Sequence, residues 1–544
     1  MNTHFHMKKL RWPGCRSGTR AHLVKSSFPV TASRRRDRSL TLTWMGIGLL
    51  LAASYPNKAH SVEALELGLK ETAVTFNSAI EGTGSCDVFW TTNVSWTTNQ
   101  RSLFRVQYEP TGGLSSKPVL DISSTGDTFS QWVVAFNDSG TGLMVWSGQH
   151  GLYSCRREAG GDWQAPVTIS AGPSPFIVYA QSLGLGVDSS GNGLLTWADD
   201  NGNKVYSNRY IAGSGWTGLV PIGDRGSSRG ALPFAMNSSG KAVLLWERWV
   251  GQWTLYASLF LPGQGWQPAH VLFTSPYYTT PAVTINEEGT IFATWLDGAF
   301  PGQTVYAGRM PAGQGWQPRV MITNTNLPRD PLVTINSNGD AVVIWRTAWD
   351  KTIAANRYGE GTGWRGVEVL SPIYVGDPVP GPSYFDDAGN IVCYWNINGE
   401  AGARFSSRRY VPRSGWMPVE ELSFIRPIND GVVGSVGLKF HRNGLALATW
   451  TESWTVFTGE IYVNYTDFYA HRFSVALPSL KIGRSGNDSL VSWSALAEGY
   501  TLETASSLSV PTWTTVSNVP TAVGTMNHVT LLNTNGQAYY RLRR

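Results

Sequence analysis

The sequence predicts an all-β chain: a seven-bladed β-propeller, with eight blades as the alternative, of four-stranded units about 50 residues long. Three observations predict it. A Trp closes each unit at Trp146, Trp197, Trp246, Trp295, Trp345, Trp395 and Trp450, in steps of 51, 49, 49, 50, 50 and 55 residues, after a weaker copy at Trp90. A second ladder runs out of phase, at Trp163, Trp216, Trp266, Trp316, Trp364 and Trp416, five of these preceded by Gly. Between the first two strands of a unit stands an Asn or Asp, then two polar residues, then a Gly, as in Asn286 to Gly289 and Asn336 to Gly339.

Each unit parses into four short strands. The unit "VTINEEGTIFATW" from Val283 returns at Val333 as "VTINSNGDAVVIW". The Asx side chain can accept a hydrogen bond from its own backbone two residues on. The Gly takes the left-handed conformation that completes the turn. The third strand is "TVYAGRM" or "KVYSNRY", and the fourth follows the Gly-Trp, as in "WQPRVMIT". Second strands such as "TIFATW" are apolar on both faces, which fits sheets stacked face to face rather than a sheet with one wet side. An open solenoid would also repeat, but it needs capping units. The Trp90 unit keeps its later strands better, and the Trp450 unit its earlier ones. The sequence therefore expects one blade shared by the two chain ends. After Leu477 the ladder stops. The tail, 477–544, has alternating "SLVSW", "YTLET" and "WTTV" runs between Gly, Asn and Pro turns, and reads as a small sandwich-like β module.

Residues 1–61 read as an export leader. A basic stretch ends in "RRRDR", an apolar run covers Leu40 to Ala53, and Pro56 and small residues follow. Cleavage is expected near Ser61. The run is shorter than the roughly 20 residues of a spanning helix. A membrane attachment would therefore arise only from a retained leader. The expected location is secreted, periplasmic or at the cell surface, and 62–476 forms the propeller.

The net charge of +5 belongs to this leader, which holds eleven of the 43 Lys and Arg and one of the 38 Asp and Glu. The remainder carries 32 basic and 37 acidic residues, a net of −5. No basic patch is left for nucleic acid. Cys393, inside "IVCYW", reads as a small buried hydrophobe. Cys86 and Cys155 could form a disulfide in an oxidising compartment, although an odd count argues against a disulfide scaffold.

The D/N-x-x-G turn, closing Trp and Gly-Trp-x-x-Pro resemble repeats of secreted bacterial β-propellers, the class that includes sialidase-like and lectin-like rings, over roughly residues 70–475. The tail, with "EGYTLE", "TWTTV" and a terminal "YYRLR", resembles a C-terminal module of many large secreted bacterial proteins. These resemblances imply architecture and export. They do not imply an activity, because one fold hosts many functions. The sialidase turn motif is met only loosely by "VDSSGNGLLTW".

Ligands are expected on the face that carries the second-to-third-strand loops and the connections between units. There the segments vary while the frame repeats. They offer Trp249, Tyr277, Tyr278 and Tyr374 as flat rings, with Trp349 beside them. Arg225, Arg229, Arg248, Arg329, Asp297, Asp330, Asp377 and Glu452 are charged hydrogen-bonding groups. Rings beside fixed polar groups suit a sugar. The expected partner is a polysaccharide or a surface protein, bound by a monomer at one asymmetric site. A non-catalytic binder is favoured over a hydrolase or lyase that would use carboxylates at the channel mouth. Five His follow the leader (His150, His270, His441, His471, His528), without paired metal-ligand spacing, so no metal or cofactor is expected.

Overall fold

A computed structural model describes residues 73–543 except 82–84, 94–100, 109–113, 116–130, 149–150, 172–182, 200–203, 227–230, 324–326, 400–401, 423–431, 458–461, 479, 487, 495–499, 508–511, 524–525 and 533–537. The leader and Arg229 lie outside the described residues.

The described chain is all-β. Strands between 73 and 474 form eight antiparallel sheets in chain order: 73–115, 131–171, 184–224, 234–275, 282–323, 328–369, 378–421 and 432–474. In the fifth sheet Ala282–Ile285 pairs Ile291–Asp297, which pairs Thr304–Met310, which pairs Val320–Thr323. These are the four strands read from the sequence. Among the described residues the shared blade is not formed. Ala73–Ile80 and Cys86–Asn93 open a four-stranded sheet of their own, and the Trp450 unit makes a separate three-stranded one. Each sheet meets the next, and strands Val432–Phe440 and Leu445–Phe457 of the eighth meet Ala73–Ile80 of the first. Two further sheets lie within 481–543, around Trp493, Val491, Leu502 and Val529.

The cores lie between sheets. Trp295, Ile291 and Ala293 of the fifth pack on Val243, Leu245 and Leu255 of the fourth. Leu296, Val305 and Ala307, also of the fifth, pack on Val343, Trp345 and Ala354 of the sixth. A second strand thus buries both faces, because each of its faces meets a different sheet. All seven closing Trp from Trp146 to Trp450 are buried. The out-of-phase Trp residues link sheets at their edges. Trp216 Nε1 donates to Ser154 Oγ of the preceding sheet at 2.7 Å, and Trp266 Nε1 does the same to Ser207 Oγ at 2.7 Å.

The Asx turns form as expected and do one thing more. Asn286 Oδ1 accepts Thr290 N–H at 2.8 Å, and Gly289 takes φ +93. Asn286 Nδ2 also donates to the Asn336 carbonyl of the next turn at 3.1 Å, and Asn336 Nδ2 to that of Asp386 at 3.1 Å. Asn237 and Asn137 make the same reach, to Asn286 at 3.0 Å and Asp188 at 2.9 Å. Asn serves these positions because its amide both accepts within its own turn and donates to the next. His441 and Arg442, from the eighth sheet, both reach Asp138 of the second, and Arg442 also reaches Glu287 at 3.2 Å.

Cys86 and Cys155 stand as buried thiols, not as a disulfide. Burial pushes the Cys86 thiol up to about 12 and raises Cys155 as well. Each serves as a small apolar filler, Cys155 against Phe89 and Met144. Cys393 is buried in the same way, between the sixth and seventh sheets.

Candidate functional site

The Asx turns lie at one end of the sheets. At the other end lie the segments after the closing Trp and the connections between sheets, and most of the sequence-predicted residues are there. The densest grouping is on the fourth sheet. Glu247 follows Trp246 on strand Ala242–Trp249 and is 1% exposed. From the connection to the fifth sheet, Thr279 donates its N–H at 3.0 Å and its hydroxyl at 2.6 Å to Glu247 Oε1. Oε2 is buried and has no hydrogen-bond partner. Burial pushes the carboxyl up to about 7, against the opposing pull of the Thr279 bonds and the Arg225 charge. Arg225 is itself buried, and its carbonyl accepts Trp249 N–H at 3.2 Å. Tyr278 stands close enough for burial and the Glu247 charge to raise its phenol pKa.

Rings line the same place. Trp249 and Trp253 have centroids 5.0 Å apart, and Tyr278 meets Trp253 edge-on at 5.2 Å. Tyr277, Tyr278, Phe300 and Trp349 are exposed, Trp349 by 63%. The other Phe, Tyr and Trp side chains among the described residues are buried or half-buried, so exposed rings gathered at one end mark that end as different.

The predicted acids at this end are paired. Asp297 accepts Ser275 Oγ at 2.9 Å and lies 3.5 Å from Arg319. Asp330 binds Arg346 at 2.6 Å, and Asp377 lies 3.6 Å from Lys351. Three of the four non-Gly residues with left-handed backbone among those described, Leu327, Asp330 and Lys351 (each φ +50), lie here. Such positions persist where the surroundings over-determine them, and they gather at functional sites. Arg329 lies over the Phe300 ring at 5.4 Å.

Two predicted residues take other roles. Glu452 is not in a loop. The eighth sheet's hairpin, Leu445–Phe457 against Tyr462–Ser474, continues past the closing Trp, and Glu452 is fully buried opposite Asp467. The β-branched and aromatic residues of "TWTESWTVF" and "YVNYTDFYAHRF" extend the pairing that the segment was expected to end. Tyr374 turns its hydroxyl inward to accept Trp395 Nε1 at 3.0 Å, which makes it a packing residue.

Sequence reasoning missed Glu247. A signal was present: the position after the closing Trp holds Ser147, Ala198, Glu247, Leu296, Arg346, Asn396 and Thr451. Only one unit places an acid where the chain buries its second strand.

The raised Glu247 pKa has a stability consequence. An unfolded Glu titrates near 4.3, and the folded group near about 7. The folded chain holds the proton more tightly. That contribution is complete below about pH 4.3 and is lost as pH rises through about 7. Between pH 5 and 8 the loss is about 2–3 kcal/mol. Urea unfolding at the two pH values should show it, and Glu247→Gln should flatten it. An unchanged slope in the variant would place the titration elsewhere.

At the turn end a cavity of about 630 Å³ is lined by Asp138, Glu287, Ser337, Asp387, His441 and Arg442, among others. Its charged groups bond one another and the turns: Ser337 N–H donates to Asp387 at 3.0 Å, and Asp138 and Glu287 share Arg442. Among the described residues no group of His, Cys, Asp and Glu is placed to hold a metal ion.

No family model matches the chain, and no curated protein matches it. Solved structures match part of the chain at low identity. The chain is similar to a polysaccharide lyase described as an ulvan lyase, at 11% identity and a TM-score of 0.42, over 62% of this chain and 93% of that one. It is similar to the Aleuria aurantia lectin, in a variant with α-methyl-L-fucoside, at 11% identity and 0.30, over 55% and 94%. It is also similar to a puromycin hydrolase, at 13% identity and 0.39, over 66% and 58%.

Proposed function

We propose that the chain is an exported, monomeric, eight-bladed β-propeller over 62–476, with a β module at 477–544, that binds polysaccharide at the loop end of its ring. The leader is removed near Ser61. One observation carries the reading: Tyr277, Tyr278, Phe300 and Trp349 stand exposed beside fixed charged groups at one end, on a frame that buries its closing Trp residues. A sugar offers C–H faces to such rings and hydroxyls to the groups at their edges. The loop residues differ from unit to unit, which favours one asymmetric site over repeated equal ones.

A second reading, a carbohydrate-active enzyme, rests on Glu247. A carboxyl tuned to about 7 suits proton transfer near neutral pH. The test is a panel of immobilised polysaccharides probed with the exported form, run beside assays for reducing ends and for unsaturated uronate. Tyr278→Ala should weaken binding about tenfold, with stability lowered by about 0.5–1.5 kcal/mol, the worth of its ring contact with Trp253. Retention of none of the panel would end the binding reading. Turnover on a retained glycan would select the enzyme.

A further inference from the structure

The ion pairs at the loop end leave charges of both signs unpaired. Asp297, Asp330 and Asp377 are each matched by Arg319, Arg346 and Lys351. Arg248 and Arg329 have no carboxylate within ion-pair distance among the described residues. Arg248 Nε is buried with no acceptor, and Arg329 has only the Phe300 face. A buried guanidinium N–H without an acceptor costs free energy that an anion would recover. Asp224 and Asp350 also lie at this end and have no cation within ion-pair distance among the described residues. Glu247, the buried acid here, has both hydrogen bonds on Oε1, so a proton on this carboxyl resides on Oε2, which has no protein acceptor.

We infer that the loop end takes a polyanionic polysaccharide, its carboxylate or sulfate groups met by Arg248 and Arg329 while the buried Glu247 stays protonated. This rests on the polysaccharide reading and deepens it by naming the ligand's charge. Arg248 follows the fourth sheet's closing Trp, and Arg329 opens the sixth sheet. Charges set two sheets apart suit a chain that repeats its anionic group rather than a single sugar. Residues 62–544 carry a net −5, so attraction for a polyanion would be local to this end.

Binding is then coupled to a proton. The groups facing Glu247 are Arg225, Tyr278 and Thr279, with Arg248 next along the strand. Ionised Glu247 repels the incoming anion through the apolar surroundings, and neutral Glu247 does not. A ligand that requires the protonated form, with Glu247 titrating at about 7, binds about tenfold more weakly at pH 8 than at pH 6.

The experiment is calorimetric titration of the exported chain at pH 6 and pH 8, at fixed salt, with dextran sulfate, polygalacturonate and neutral dextran. We expect one or both polyanions to bind, with Kd about tenfold weaker at pH 8. The sulfate and carboxylate arms tell which group is read. Glu247→Gln should hold the pH 6 affinity at pH 8. Arg329→Gln, at a half-buried position without an ion pair, should weaken the polyanion about fivefold or more and serves where Glu247→Gln does not fold. Neutral dextran bound as tightly as the polyanions would overturn the charge inference and leave the polysaccharide reading standing. Wild-type pH dependence in Glu247→Gln, or full affinity in Arg329→Gln, would overturn it too. No binding to any of the three would overturn the inference, while retention of another glycan on the panel would still sustain the broader reading.

Discussion

Arg157→Leu should destabilise the chain by about 3–5 kcal/mol. Arg157 closes strand Gly151–Arg157 of the second sheet and is 2% exposed. It reaches back to the first sheet, to Glu81 at 2.5 Å and Asp87 at 2.8 Å, and its Nε donates to the Gly161 carbonyl at 2.9 Å. Arg105 holds the other Asp87 oxygen at 2.7 Å. Two carboxylates and two guanidinium groups are thus buried where the first sheet meets the second. Leucine replaces the stem of Arg157 but not its charge. Glu81 and Asp87 would lose a cation in a medium too apolar to solvate them. Urea unfolding at pH 7 measures the loss, and Glu81→Gln in the Arg157→Leu background should recover part of it. A loss below about 1 kcal/mol would mean that water reaches the cluster.

Trp295→Ala should cost a similar amount, about 3–5 kcal/mol. The indole is fully buried between the fourth and fifth sheets, against Val243, Leu245 and Phe273. Two sheets cannot both relax into the space it leaves, because each is also packed on its far side. Trp295→Phe separates volume from polarity. The Trp295 Nε1 is buried without a hydrogen-bond partner, so phenylalanine loses some volume and sheds an unsatisfied N–H. Its cost should be well under that of alanine. Equal costs for the two variants would show that the indole N–H has an acceptor after all. A cost near zero for alanine would remove inter-sheet packing as the main source of stability.

The four-strand unit was legible because its signals are local. In the fifth unit the turn from Asn286 to Gly289 and the closing Trp295 lie within a dozen residues, and strand Thr304–Met310 matches its sequence reading residue for residue. Glu452 was misplaced for the converse reason. The end of a strand depends on its partner, and Tyr462–Ser474 was long enough to extend the hairpin. At the loop end the sequence named Arg225 and Tyr278 but not the acid beside them. Glu247 acquires its character from burial between sheets, and its hydrogen-bond partner Thr279 lies thirty-two residues along.

By itself, then, the sequence determined the period, the hairpin turns, the all-β class and the end of the sheets where segments vary. These are matters of side-chain alternation and turn stereochemistry, settled among residues close together in the chain. Only the tertiary structure decided which sheet meets which, that Asn286 serves the next turn as well as its own, that Tyr374 faces inward, and that one carboxyl is buried with an oxygen to spare. Those depend on surfaces about fifty residues apart being pressed together and stripped of water, and neither contact nor desolvation is written in any single unit.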